Sequence, residues 1–240
     1  MRFLDGVRYA GVIADEMWAR VAERPEKLKI NVTYYSPWES PELVEGILAG
    51  KVDPKKDKKW RESGAKDLEE YKLWSWNICG IACLKMVLKY WKLGEFKSVQ
   101  LAKKCTEYGG FDPEGAYLSD DGTHLRIPGL FYKPFARFVG KEFGIKVLPT
   151  NWLSVNRIKW ELARGNMVLA SVDSSIRGLP EFTGSKHLVL MVGYDEKKRT
   201  VFFHNPGGYF GKSQMDVEMN EQTFGKFFKN RGYVFYNRGE

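Results

Sequence analysis

The chain has 240 residues, 43% hydrophobic, 28% charged and 15% aromatic, a composition that excludes disorder, collagen and coiled coil. Its formal net charge of +8 is concentrated partly in Lys51–Lys59; acids interrupt that run and no arginine-rich or aromatic-interleaved motif accompanies it, so no nucleic-acid partner is expected. The longest unbroken apolar run of the second half, Leu188–Val192, is far short of the about 20 residues of a membrane span; no export signal is read at the start, and three cysteines point to free thiols in a reducing cytoplasm.

Residues 1–70 read as a flank, with a helix expected over Val12–Val21, a short strand near Lys29–Tyr35 and turns at Ser36-Pro37 and Ser40-Pro41. This flank is expected to wrap the helical half and line the cleft. The main domain is read as 71–240. Within it, Cys79, Ala82, Cys83, Met86, Val87 and Tyr90 lie on one face of a 3.6-residue period, which predicts a helix over Cys79–Trp91 capped by Asn77 or Ser75. Helices are predicted over Val99–Cys105, Phe131–Phe143 and Val155–Arg164, with Gly110–Pro128 as a loop. Strands follow at Met167–Val172 and in a hairpin of His187–Tyr194 with Thr200–His204. A helix capped by Asn220 runs to about Lys229, and Tyr233–Tyr236 is a last strand. Helices first and sheet later predict an α+β fold, a helical half carrying the cysteine helix packed on an antiparallel β-sheet half.

Chemistry concentrates at two places. Cys79 stands at a helix start, where unpaired amides and the macrodipole favour a thiolate, and Gly80 after it leaves no side chain to block a carbonyl. Histidine occurs only at 124, 187 and 204. His187 opens an apolar strand, where a polar ring marks a rim or a site. If Tyr194 pairs with Thr200, Val189 faces Asn205 and His187 lies diagonally from it, close enough for Asn205 to hold one ring nitrogen and turn the other toward Cys79. A one-residue slip would exchange Asn205 for His204. Cys79 as a buried core residue, His187 as a structural histidine and Asn205 as a turn former are the alternatives. His204 is expected to be structural and His124 exposed. Cys79 and Cys83 sit one turn apart without a second pair, so no metal is expected, and no cofactor.

The stretch Asn77-Ile78-Cys79-Gly80-Ile81-Ala82-Cys83-Leu84-Lys85-Met86-Val87-Leu88, then His187-Leu188-Val189-Leu190-Met191-Val192-Gly193-Tyr194-Asp195, then Val201-Phe202-Phe203-His204-Asn205-Pro206, resembles the bacteriocin-processing (double-glycine leader) branch of the papain-like cysteine peptidases, without its transporter. The resemblance runs from about Trp74 to Tyr236. It implies a papain-like fold with Cys79 as nucleophile, His187 as general base and acid, and Asn205 as the residue that orients the ring. The glutamine that relatives carry before the cysteine, a donor to the oxyanion, is Leu73 here, which leaves Asn77 or Trp76 to substitute. Lys186 replaces the usual glycine and is expected to crowd the site or to bind an acidic substrate group. Trp74, with Trp76, Tyr90 and Trp91, suggests an apolar substrate pocket.

The expected activity is acyl transfer through a thioester, in the hydrolysis of a peptide or amide bond. An acyltransferase or amide synthase with an amine acceptor, and a non-catalytic binding module that keeps the fold, are the alternatives. The expected partner is a peptide or a small acyl or amide substrate, with no nucleic acid and no membrane. Oligomeric state is not legible.

Overall fold

The computed structural model describes residues 2–120, 122–178 and 186–237; the last three residues of the expected 71–240 domain lie outside them. In chain order the elements are α1 (Arg2–Val21), β1 (Lys27–Lys29), α2 (Val44–Leu48), α3 (Leu68–Ser75), α4 (Cys79–Tyr90), α5 (Ser98–Glu107), β2 (Tyr117–Leu118), β3 (Leu125–Arg126), α6 (Tyr132–Phe143), β4 (Val147–Thr150), α7 (Val155–Ala163), β5 (Met167–Asp173), β6 (Lys186–Asp195), β7 (Thr200–His204), β8 (Val217–Asn220), α8 (Glu221–Phe227) and β9 (Phe228–Phe235), with short 3-10 turns between them.

The architecture is α+β. One antiparallel sheet runs in the order β4-β9-β5-β6-β7-β8, with β1 added to the far end of β6. Alternation along the strands divides two cores. Met167, Leu169, Leu188, Leu190, Tyr233 and Phe235 face the layer of α4, α5 and α6. Val168, Ala170, Val172, Val189, Met191 and Val234 face the opposite side, with Ile158 and Leu162 of α7 and Phe224 of α8. Helices therefore cover both faces of the sheet, not one.

Helix α4 is central. Its apolar stripe lies where the 3.6-residue period places it, yet every residue from Gly80 to Leu88 is buried. Even Lys85 is enclosed: it lies 3.8 Å from Glu39 and 4.7 Å from the centroid of Tyr35. Both partners come from the first seventy residues, which cover the polar side of this helix. The same flank is divided between the two faces. Helix α1 packs on α7 through Trp18 and Trp160, with ring centroids 4.7 Å apart. Residues 30–48 lie on the α4 side and near the end of β7.

Several elements depart from expectation. The first helix extends back to Arg2, and the first strand is only Lys27–Lys29. Helix α3 carries a weak apolar pattern and is held by Asp67, whose carboxylate accepts from the Glu70 amide at 2.8 Å. Strands β4 and β8 pair on one side only, and such edges need little of the apolar alternation that advertises a strand. Pro149 sits within β4 at this edge, where a missing amide is tolerated.

The hairpin register departs twice from expectation and the departures cancel. Asp195, not Tyr194, pairs with Thr200, and a bulge between Met191 and Gly193 then restores Leu190 opposite His204. The end of the hairpin nearest Asn205 therefore has the register expected from sequence. Gly193, at φ 159°, makes the bulge feasible: a Cβ there would stand 2.2 Å from the Leu28 carbonyl oxygen of β1.

Candidate active site

Helix α4 opens without a side-chain cap, since its cap position is Ile78. The first-turn amides are thus free, and those of Cys79 and Gly80 are directed at the Cys79 sulfur. A third amide comes from the sheet. Strand β7 ends opposite Leu190, so Leu188 of β6 has no partner on that side. The start of α4 fills the gap: the Leu188 N–H faces the Cys79 sulfur, and the Leu188 carbonyl accepts from Cys83 Sγ at 3.7 Å. This junction brings Cys79 beside the residue that follows His187.

His187 is 2% exposed. Its Nε2 lies 2.7 Å from Asn205 Oδ1, an acceptor only, so Nε2 carries the proton and Nδ1 is left with a lone pair. Asn205 is itself fixed, its Oδ1 also accepting from the Gly207 amide at 3.3 Å. Tyr34 donates to the carbonyls of Asn205 and Pro206 at 3.1 and 3.0 Å, so the N-terminal flank braces the turn. His204 projects elsewhere, as the register requires. Its Nε2 donates to the Val32 carbonyl at 3.0 Å and its Nδ1 accepts from the Asp216 amide at 3.1 Å. His124 is half-buried, not exposed, and stacks on Trp76 with centroids 4.1 Å apart.

Arg177, which sequence reasoning missed, completes the site. Its Nη2 lies 3.3 Å from His187 Nδ1, the position open for a thiol proton. It precedes β6 by nine residues at the end of a single 3-10 turn, Ser174–Arg177, too short for a periodicity to mark it. Burial pulls the His187 pKa down to about 3, and the Arg177 charge pushes the same way against the Asn205 hydrogen bond. Burial also raises the Cys79 thiol above its ordinary value, although the Leu188 amide, Arg177 and the first-turn amides oppose it. Both shifts run against the ionised sulfur expected from the helix terminus. The helix terminus acts in the expected direction and desolvation outweighs it.

The remaining predicted residues divide. Asn77 is engaged with the backbone: Nδ2 donates to the Leu73 and Leu125 carbonyls at 2.7 and 3.0 Å, and Oδ1 accepts from the Ile127 amide at 2.9 Å. It neither caps α4 nor keeps a proton for an oxyanion; it fastens the 117–127 loop across the start of the cysteine helix. Trp76 packs edge-on against Trp38, with centroids 5.3 Å apart, and its Nε1 is buried without a hydrogen-bond partner. Trp74 is a core residue, edge-on to Phe111 at 5.5 Å. It borders a cavity of about 680 Å³ that Cys79 and His187 do not line, which argues against the substrate contact expected of it. Lys186 is exposed, and the cation against the His187 ring is Arg177. The space above Gly80 is filled, since a Cβ there would meet Leu130 Cδ2 and Leu188 Cδ1 at 2.8 Å. Cys83 and Cys105 are buried free thiols. Among the described residues no cluster of three or more His, Cys, Asp or Glu could hold a metal, and no helix is long and apolar enough to cross a membrane.

Residues 60–236 match the Peptidase_C39 like family. A crystal structure from Bacillus anthracis, described as that of a candidate C39-like peptidase, is 16% identical at a TM-score of 0.46, over 67% of this chain and 89% of the other. No curated protein matches the chain.

Proposed function

The chain belongs to the Peptidase_C39 like family, with the α+β papain-like fold of that group, and from this premise we propose that it is a cysteine peptidase whose nucleophile is Cys79, whose base is His187 and whose ring-orienting residue is Asn205. The observation that carries the reading is the 2.7 Å contact between His187 Nε2 and Asn205 Oδ1. It selects the tautomer with a lone pair on Nδ1, the nitrogen that a thiol proton needs. Membership of a peptidase family supports a peptide as acyl donor.

From a neutral thiol and a neutral imidazole, the S–H proton passes to His187 Nδ1 as sulfur attacks the scissile carbonyl carbon. The tetrahedral oxyanion receives the Cys79 backbone N–H and, in this proposal, the unpartnered Trp76 indole N–H. The carbon–nitrogen bond breaks as Nδ1–H protonates the leaving amine, which leaves a thioester on Cys79. Water then loses a proton to Nδ1 and attacks the thioester; the carbon–sulfur bond breaks, releasing the carboxylic acid and restoring the thiol. Asn205 stabilises each imidazolium stage through Nε2–H.

Incubation of a mixed peptide library with the wild type and with Cys79→Ala tests this, with cleavage read by mass spectrometry. The proposal predicts new termini that depend on Cys79, and hydroxamates of the same acyl fragments when hydroxylamine is added. Identical digests from both proteins would support a binding module instead.

A further inference from the structure

Among the described residues, Arg177 is a cation beside the proposed nucleophile with no anion to meet it. Its Nε is buried without a hydrogen-bond partner, and among the described residues no carboxylate pairs with it. The polar group that it does touch is the neutral imidazole of His187, at 3.3 Å. Room is made for it: a Cβ on Gly207 would lie 3.0 Å from Nη2 and 3.3 Å from Cζ. Arg126 of β3 adds a second positive charge close enough to act on Arg177, and its Nε is also buried and unpartnered. A guanidinium whose Nε is buried and unpaired, without a counter-charge, carries a cost that is relieved when an anion enters.

We propose that Arg177 is a specificity residue that binds a carboxylate of the acyl substrate next to the bond under attack, so that the preferred substrates are anionic there. This rests on the cysteine-peptidase reading and names its substrate class. The guanidinium fork fits a carboxylate bidentately. An arriving carboxylate also competes with His187 for Nη2, so its binding releases Nδ1 for the Cys79 proton. Substrate recognition and activation of the base are then one event.

Two alkylating reagents of nearly equal size, iodoacetate and iodoacetamide, differ by the carboxylate alone. Their rates at Cys79, followed by peptide mapping and divided by their rates at glutathione, give a preference that needs no known substrate. We expect iodoacetate to be favoured by roughly 10- to 100-fold in the wild type, the factor of a charge-assisted hydrogen bond. Arg177→Gln is expected to abolish the preference, and Arg177→Lys to retain part of it. A wild-type preference equal to that of glutathione overturns the proposal without any variant. So does a preference unchanged in Arg177→Gln, or a Cys79 that neither reagent reaches. The triad reading is judged apart, by whether His187→Ala slows the reaction of Cys79 with iodoacetamide, a neutral reagent that Arg177 does not recognise.

Discussion

The two halves of the site differ in burial and in how they are held: His187 is 2% exposed, whereas Cys79 is half-buried. On the hairpin side His187 has a fixed partner at each ring nitrogen, Asn205 at 2.7 Å and Arg177 at 3.3 Å. On the helix side Cys79 meets backbone amides, and burial keeps its thiol above the ordinary value. In the proposed mechanism the base is thus positioned in advance, by side-chain partners on both ring nitrogens. At Cys79 desolvation and the favourable pull of the helix N-terminus and a neighbouring cation act against one another.

That contrast can be broken in order of effect. Removing either half alone, by Cys79→Ala or His187→Ala, is expected to lower kcat/KM on any peptide substrate by about 10³-fold or more, and the double variant to be little worse, because residues that act as a unit are not additive. Trp76→Phe keeps the ring and deletes the proposed oxyanion donor. Steady-state kinetics are expected to show kcat falling by about 10²- to 10³-fold with KM little changed. Asn205→Ala frees the ring while leaving both reacting groups, and is expected to cost about 10- to 100-fold. The smallest effect is on stability. His187 refuses in the fold a proton that the unfolded chain takes up near its ordinary pKa of 6.5, its folded value being about 3. Stability from this group is complete above about pH 6.5 and is lost as pH falls toward 3. Urea unfolding across that range is expected to show a shallower acid limb in His187→Gln, the remainder coming from His204, which burial also depresses, and from carboxylates such as Asp53 and Asp195 that hydrogen bonds hold below their ordinary values.

Much of this was legible in the residues and the illegible parts have physical reasons. The 3.6-residue stripe located α4, because a helix under a sheet must carry its apolar residues at that spacing. The hairpin placed Asn205 beside His187, although by a shorter turn and a bulge at Gly193 that offset one another; simple pairing arithmetic cannot see a bulge. Asn77 misled for a related reason. Its position before a helix is that of a cap, and only the folded 117–127 loop supplies the carbonyls and the amide that it binds. Lys186 drew attention by being next to His187, yet its side chain is exposed. Arg177 left no trace in periodicity or motif, since a side chain that reaches a site from one short 3-10 turn obeys neither.

The central claim is that Cys79 forms an acyl bond with the help of His187. Brief exposure to p-nitrophenyl acetate, an acid quench and peptide mapping would read that bond as an acetyl group on the Cys79 sulfur. The account predicts that adduct in the wild type, and its formation at least about 100-fold more slowly in His187→Ala. Acetylation of Cys79 at the same rate in both proteins, or an unmodified Cys79 beside acetylated surface lysines, would contradict it.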